Sequence, residues 1–221
     1  MTTIAEKVFV ISLLVWLLGL WCLTPVQAFP IASPTESLAG LTPGINTIAD
    51  ASRLYGVYNV RLPGDFLAYL GGPYASHAYR WTNGLNGKVP GLIIETAIGS
   101  PRIDAVVVDE YPGLATSCGL MALTPERSVL SLYGSPNYAY EITLGNNRVF
   151  RELYFIDRGL LVVLGHEFGI PNWTVSRIIL TYPTYLRNAV SKRYRYALNG
   201  QYVEDVICSY RARRPMPLPC Y

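Results

Sequence analysis

A helix-then-strands pattern occurs twice in this chain, with Tyr133 following Tyr55 at a spacing of 78 residues. A chain that repeats a unit of that size is expected to fold by packing two similar pieces together. The first copy opens at Leu41-Thr42-Pro43-Gly44, runs through a short helical stretch and closes on Leu54-Tyr55-Gly56. The second opens at Leu123-Thr124-Pro125 and closes on Leu132-Tyr133-Gly134-Ser135-Pro136. The segments that follow also correspond. After the first helix come His77 to Trp81, Leu92 to Ile98 and Ile103 to Tyr111; after the second come Arg151 to Ile156, Leu160 to Leu164 and Val175 to Tyr182. Tyr111-Pro112 and Tyr182-Pro183 end the two runs.

Local chemistry supports each element. Thr47 is placed to cap the first helix with Asp50 three residues on, and Thr124 to cap the second with Pro125 at its first position. Gly56 and Gly134 are able to end the helices in a backbone conformation that other residues avoid. Helices this short do not stand alone. Ile48, Ala51 and Leu54 in one, and Val129, Leu130 and Tyr133 in the other, form apolar stripes that must lie on another layer. Val106-Val107-Val108 and Ile178-Ile179-Leu180 are β-branched enough to be strands, and Asp157-Arg158-Gly159 is a turn between two such runs. The expected fold is therefore α+β: repeat 1 over residues 40–115 and repeat 2 over 116–183, each a short helix on a three- to four-stranded antiparallel sheet. Helices on one face leave the other solvated or offered to a partner.

A Thr-Pro-led short helix ending in Leu-Tyr-Gly, followed by three antiparallel strands and duplicated in tandem over about residues 40–183, resembles the superfamily that includes the β-lactamase inhibitory protein and the outer-membrane assembly lipoprotein BamE/SmpA. The resemblance implies a secreted or periplasmic, non-enzymatic module that binds other proteins through a concave sheet surface, its repeats side by side. The chain departs from the lipoprotein branch in its long C-terminal segment. It also departs at Cys22, which follows Leu20-Trp21 where lipid attachment wants a small residue.

Residues 1–28 read as a secretory signal, with Lys7 at the positive end, an apolar run from Val8 to Leu23 and Val26-Gln27-Ala28 as the cleavage site. The alternative is an uncleaved helix over residues 8–23 that holds a structural subunit in a membrane complex. Cleavage before Phe29 leaves residues 29–39 as a linker and Cys118, Cys208 and Cys220 as the cysteines. In a periplasmic or extracellular compartment those three permit one internal disulfide: Cys208 with Cys220 across a Pro-rich stretch, or Cys118 with either. Residues 184–221 form a basic, Pro-rich extension. From Asn188 onward Lys192, Arg193, Arg195, Arg211, Arg213 and Arg214 stand against Glu204 and Asp205. Two short helices are expected within it, one on Leu186, Val190, Tyr194 and Ala197 and one on Val203, Val206, Ile207 and Tyr210. Its charge reads first as a solvated basic face, with an acidic partner or an anionic membrane surface as the alternative.

The net charge of +3 is too slight to indicate nucleic-acid binding, and 51% apolar residues exclude wholesale disorder. Tyrosine, used 17 times against 6 phenylalanines, favours rings with one polar edge. Tyr79, Trp81, Tyr138, Tyr140, Tyr154 and Trp173 are the candidate anchors for a protein partner. The segments Gly64 to Gly72 and Thr82 to Gly91 are glycine-rich connections. Catalytic patterns are missing. His166-Glu167 lacks a second histidine at position 170, which is Ile170, and no nucleophile elbow, phosphate loop or dinucleotide fingerprint occurs. Cys208 with His166 as its base is the remaining arrangement for a hydrolase. Three scattered cysteines with His77 and His166 make a poor metal set. The expectation is a non-enzymatic protein without metal or cofactor.

Overall fold

The computed structural model describes residues 34–64, 66–73, 75–81, 91–109, 111–143, 149–165, 172–196 and 202–206. In chain order the elements are α1 (Ile48–Tyr55), β1 (Val60–Pro63), α2 (Phe66–Tyr69), β2 (Ser76–Trp81), β3 (Leu92–Ala97), β4 (Ala105–Asp109), α3 (Glu126–Tyr133), β5 (Tyr138–Thr143), β6 (Val149–Phe155), β7 (Leu160–Gly165), β8 (Thr174–Thr181), α4 (Pro183–Tyr196) and β9 (Tyr202–Asp205). A single 3-10 turn, Ile156–Arg158, links β6 to β7. The strands form one open sheet of nine, ordered β1-β2-β3-β4-β8-β7-β6-β5-β9, antiparallel throughout. All six strands expected from the sequence are present. The α+β class holds, and the two halves share a single sheet through the β4–β8 seam, where Val107 stands opposite Ile179.

The caps show local chemistry at work. Thr47 and Asp50 close a capping box: the Asp50 amide donates to Thr47 Oγ1 at 3.3 Å while the Thr47 amide donates to Asp50 Oδ2 at 2.9 Å. These bonds from Thr47 hold the Asp50 carboxyl below its usual pKa. In α3 the cap position falls to Pro125, which offers no side-chain bond, and Thr124 Oγ1 instead accepts from the Met121 amide. Both helices end at glycines of closely similar geometry. Gly56 has φ 82° and ψ −172°, Gly134 φ 75° and ψ −157°, and each amide donates to the carbonyl four residues back.

Each face of the sheet carries a core. On the first, α1 and α3 cover Leu92, Ile94, Val106, Val108, Leu153, Val162, Ile178 and Leu180. Leu38 and Leu41 join them with no exposed surface, so the chain entering α1, which the sequence suggested was a linker up to residue 39, is built into the core. Glu36 anchors it: Tyr133 Oη and Arg158 Nη1 both donate to its buried carboxylate at 3.0 Å. Cys118, half-buried against this core, is disulfide-bonded, with its partner outside the described residues.

The second face differs from the expectation that helices lie on one side only. Leu67 of α2 and Leu70 just after it, and Leu186, Ala189 and Val190 of α4, pack there on Ala78, Ile93, Ala105, Val107, Leu161 and Ile179. The reason is already visible in Val106-Val107-Val108: a strand apolar on both faces needs cover on both. The Gly64 to Gly72 connection thus carries a helical turn, and the tail contributes a layer. The second helix expected in the tail is a strand instead. Tyr202–Asp205 pairs with β5, and the Val206 amide donates to Ala139 O at 3.0 Å. Without β9 that side of β5 would present an unpaired row of backbone groups. Ile207 and Tyr210 lie outside the described residues.

Candidate functional site

Registry places one polar row across the second face. Asp109 of β4 stands opposite Arg177 of β8, Arg177 opposite Val163 of β7, Val163 opposite Glu152 of β6, and Glu152 opposite Tyr140 of β5. Arg177 grips Asp109 bidentately, Nε to Oδ1 at 2.6 Å and Nη2 to Oδ2 at 2.9 Å, and both side chains remain about one-third exposed. Arg177 also lies 5.1 Å from the ring centroid of Phe66, at the start of α2.

Glu152 is the unusual member, a carboxyl only 3% exposed in the middle of an apolar sheet. Tyr154 Oη donates to its Oε2 at 2.7 Å and Tyr69 Oη to its Oε1. Burial pushes its pKa up to about 7, against smaller lowering effects from Tyr154 and the Arg177 charge. Burial also drives Tyr154 well above the normal phenol range, helped by the neighbouring Glu152 charge. A second buried carboxylate, Glu95 of β3, holds the other end of the same short helix: the amides of Phe66 and Leu67 donate to it at 3.0 and 2.7 Å. Gly64 makes this approach feasible, because a Cβ there would lie 2.2 Å from Ser76 Oγ and 2.9 Å from the Glu95 carboxyl carbon. So α2 bridges two acids on distant strands. The cluster can exchange a proton and tether a helix; a general acid or base would also need open access to a substrate, and α2 lies over it.

The second feature is the β1 edge. All four residues of β1 are exposed, Val60 by 36% and Leu62 by 41%, and Val57 just before it by 77%. Behind it, Tyr58 packs edge-on against Tyr79 at 4.8 Å and Trp81 at 6.0 Å, and the Arg61 guanidinium lies 5.7 Å from the Tyr79 ring centroid.

The six aromatic candidates divide among three places. Tyr79 and Trp81 sit together at this edge; Tyr79 is half-buried, while Trp81 has no exposed surface and donates its indole N–H to Gly56 O at 2.9 Å. Tyr140 and Tyr154 are buried on the second face with ring centroids 5.8 Å apart. Tyr138, opposite Tyr154, is 41% exposed. Trp173 stands apart on the first-face side beneath the Arg151 guanidinium, 4.2 Å from its ring centroid, and Arg151 is further paired to Glu126 and Glu141. Trp81, Tyr140 and Tyr154 are thus core rings. Cys208, Cys220 and His166 lie outside the described residues. The sequence reading missed Tyr58, Glu152 and Arg177. The one available signal for Glu152 was a lone acid in the strand-like run Arg151-Glu152-Leu153-Tyr154-Phe155. Among the described residues no group of three or more His, Cys, Asp or Glu could hold a metal ion, and no helix is long and apolar enough to cross a membrane. No protein-family model, curated protein or solved structure matches the chain.

Proposed function

We propose that this chain is an exported, non-enzymatic protein-binding or accessory module that offers part of its antiparallel sheet to a protein partner. The observation that carries the reading is the β1 edge: a strand exposed at every residue, with Val57, Val60 and Leu62 presenting apolar surface beside Tyr58, Tyr79 and Arg61. An edge of this kind binds an extended segment by adding it as a strand, with side-chain pockets supplying specificity. The second face is covered at its centre by α2 and α4, so the accessible part of the sheet is this rim, with Tyr138 exposed near the other end. The reading also takes the molecule as two tandem repeats. The matching backbone at Gly56 and Gly134, the two eight-residue helices on one core and the meeting of β4 with β8 support that reading.

Immobilised full-length protein, exposed to an extract of its native cell envelope, should retain a partner that Leu62→Arg loses by at least tenfold, while Ile98→Arg, at an exposed apolar residue away from β1, retains it. Equal retention by the wild type and Leu62→Arg overturns the edge as the binding surface. Sequencing of the mature N-terminus tests export, and Phe29 is the expected first residue.

A further inference from the structure

We propose that the β1 edge takes an acidic extended segment of a partner protein as a further antiparallel strand, reading it through Arg61 on one face of the sheet and Arg80 on the other. The inference rests on β1 being the docking edge and adds the chemistry of what docks there. Strand order supplies the first observation. Outward from the β4–β8 seam the sheet runs β4-β3-β2-β1 one way and β8-β7-β6-β5 the other, so β1 and β5 hold equivalent places. β5 is covered by β9, whereas β1 ends the sheet. The cover is Tyr202-Val203-Glu204-Asp205, with Val203, Glu204 and Asp205 in register with Ile142, Glu141 and Tyr140. At the equivalent place the chain itself uses an acidic strand.

Backbone geometry leaves much of the decision at β1 to side chains. The Gly64 amide donates to Ser76 O at 2.9 Å, and the alternation of an antiparallel pair then turns the backbone of Val60 and Leu62 toward β2 and that of Arg61 and Pro63 outward. Pro63 has no amide hydrogen. The edge therefore offers the Arg61 N–H as a donor and the carbonyls of Arg61 and Pro63 as acceptors. Those groups fix a register centred on Arg61 and leave specificity to charge and apolar contact.

Charge is unbalanced at this edge. Arg53, Arg151, Arg158, Arg177 and Arg187 each hold a carboxylate. Among the described residues Arg61 and Arg80 hold none. The Arg61 guanidinium lies over the Tyr79 ring, and Arg80 Nε is buried with no hydrogen-bond partner, a state that buried polar atoms seldom keep. Arg61 stands opposite Tyr79, which packs on the first core; Arg80 stands opposite Val60, and Leu62 opposite Ala78 of the second core. An added antiparallel strand with one residue opposite Arg61 sets its preceding residue beside Leu62 and its following one beside Val60, in the row of Arg80. The sequence that fits is apolar, acidic, acidic, which is the order of Val203-Glu204-Asp205. A second copy meeting this edge through its own would bring Arg61 and Arg80 toward their counterparts, which like charge opposes.

Fluorescence polarisation tests the proposal, with the full chain at low salt and a labelled peptide of the sequence Gln201 to Val206, blocked at both ends. It should bind about tenfold tighter than its Glu204→Gln, Asp205→Asn version and lose that advantage at high salt. Arg61→Glu, at an exposed residue, should cancel the preference. Saturating peptide should protect the Arg61 amide from hydrogen exchange and leave unchanged the Val206 amide, which donates to Ala139 O. The peptide comparison uses the wild type, so it decides even where a variant fails to fold. Equal affinity for the two peptides overturns the acidic occupant; if Leu62→Arg still abolishes that equal binding, the docking edge stands and only its chemistry falls. Protection gained at β5 instead of β1, or no binding of either peptide, also overturns it, while capture from the envelope extract judges the edge separately. A dimer of the peptide-free chain that Leu62→Arg dissolves gives the edge to a second copy and defeats the proposal.

Discussion

Glu152 concentrates the consequences that belong to single residues. Its carboxyl is buried among apolar side chains, and a group whose acid form is favoured by folding stabilises the fold only while it stays protonated. Glu152→Gln should therefore leave thermal stability nearly unchanged at pH 4.5 and raise it progressively toward pH 8. The rise from 4.5 to about 7 sets a ceiling of roughly 3 kcal/mol on the gain. Thermal unfolding by circular dichroism across pH 4.5 to 8 checks this, and a constant offset between the two proteins would refute it. None of this was legible in the sequence, where Glu152 is one acid in an alternating strand. Its character comes from Tyr69, 83 residues earlier, and from Val163 and Tyr140 on the flanking strands. The aromatic candidates teach the same lesson. Trp81, Tyr140 and Tyr154 carry polar edges suited to a surface, but each lies inside the core, and Trp81 and Tyr154 have partners there for their polar atoms.

Among elements, the sequence was most informative where a structure is decided within one turn. Thr47 with Asp50 makes a complete capping box, whereas the corresponding Thr124 makes no bond to the start of α3. Thr47→Ala should accordingly cost about 1 kcal/mol, a drop of ~2–4 °C in Tm, while Thr124→Ala costs under ~0.5 kcal/mol. Equal effects at the two sites would show that the box adds nothing. The six strands read from the repeat are present, and β4 and β8, read from their β-branched runs, are buried as such residues require. The strands not foreseen are short or lie toward the sheet's ends. β1 is four exposed residues ending in Pro63, and β9 is a strand through its pairing with β5, a segment some 60 residues earlier in the chain. Local preference in Val203-Glu204-Asp205 says little, and an available edge decides. The four-residue α2 was equally hidden, since its amides are held by Glu95, which is remote in sequence.

At the scale of the whole molecule, both ends of the described chain are built into the packing of the sheet. The N-terminal stretch through Leu38 and Leu41 fills the first-face core, the tail returns as α4 and β9, and Cys118 adds a disulfide beside that core. Cleavage before Phe29 leaves Cys208 and Cys220 as the cysteines with which Cys118 can pair. Non-reducing peptide mapping should therefore find the Cys118 peptide joined to one from the tail. A Cys118–Cys22 peptide would show that the leader is retained, and loss of a tail-linking disulfide should cost ~2–5 kcal/mol. By itself the sequence determined where α1 and α3 lie and stop, six of the nine strands and the turn between β6 and β7, because each depends on groups a few residues apart. Only the tertiary structure decided that both faces of the sheet are covered, which rings are core, and that Glu152 is dry. Those outcomes depend on which distant segments share a face, and that is set when the whole sheet closes its apolar surfaces, beyond the reach of any local pattern.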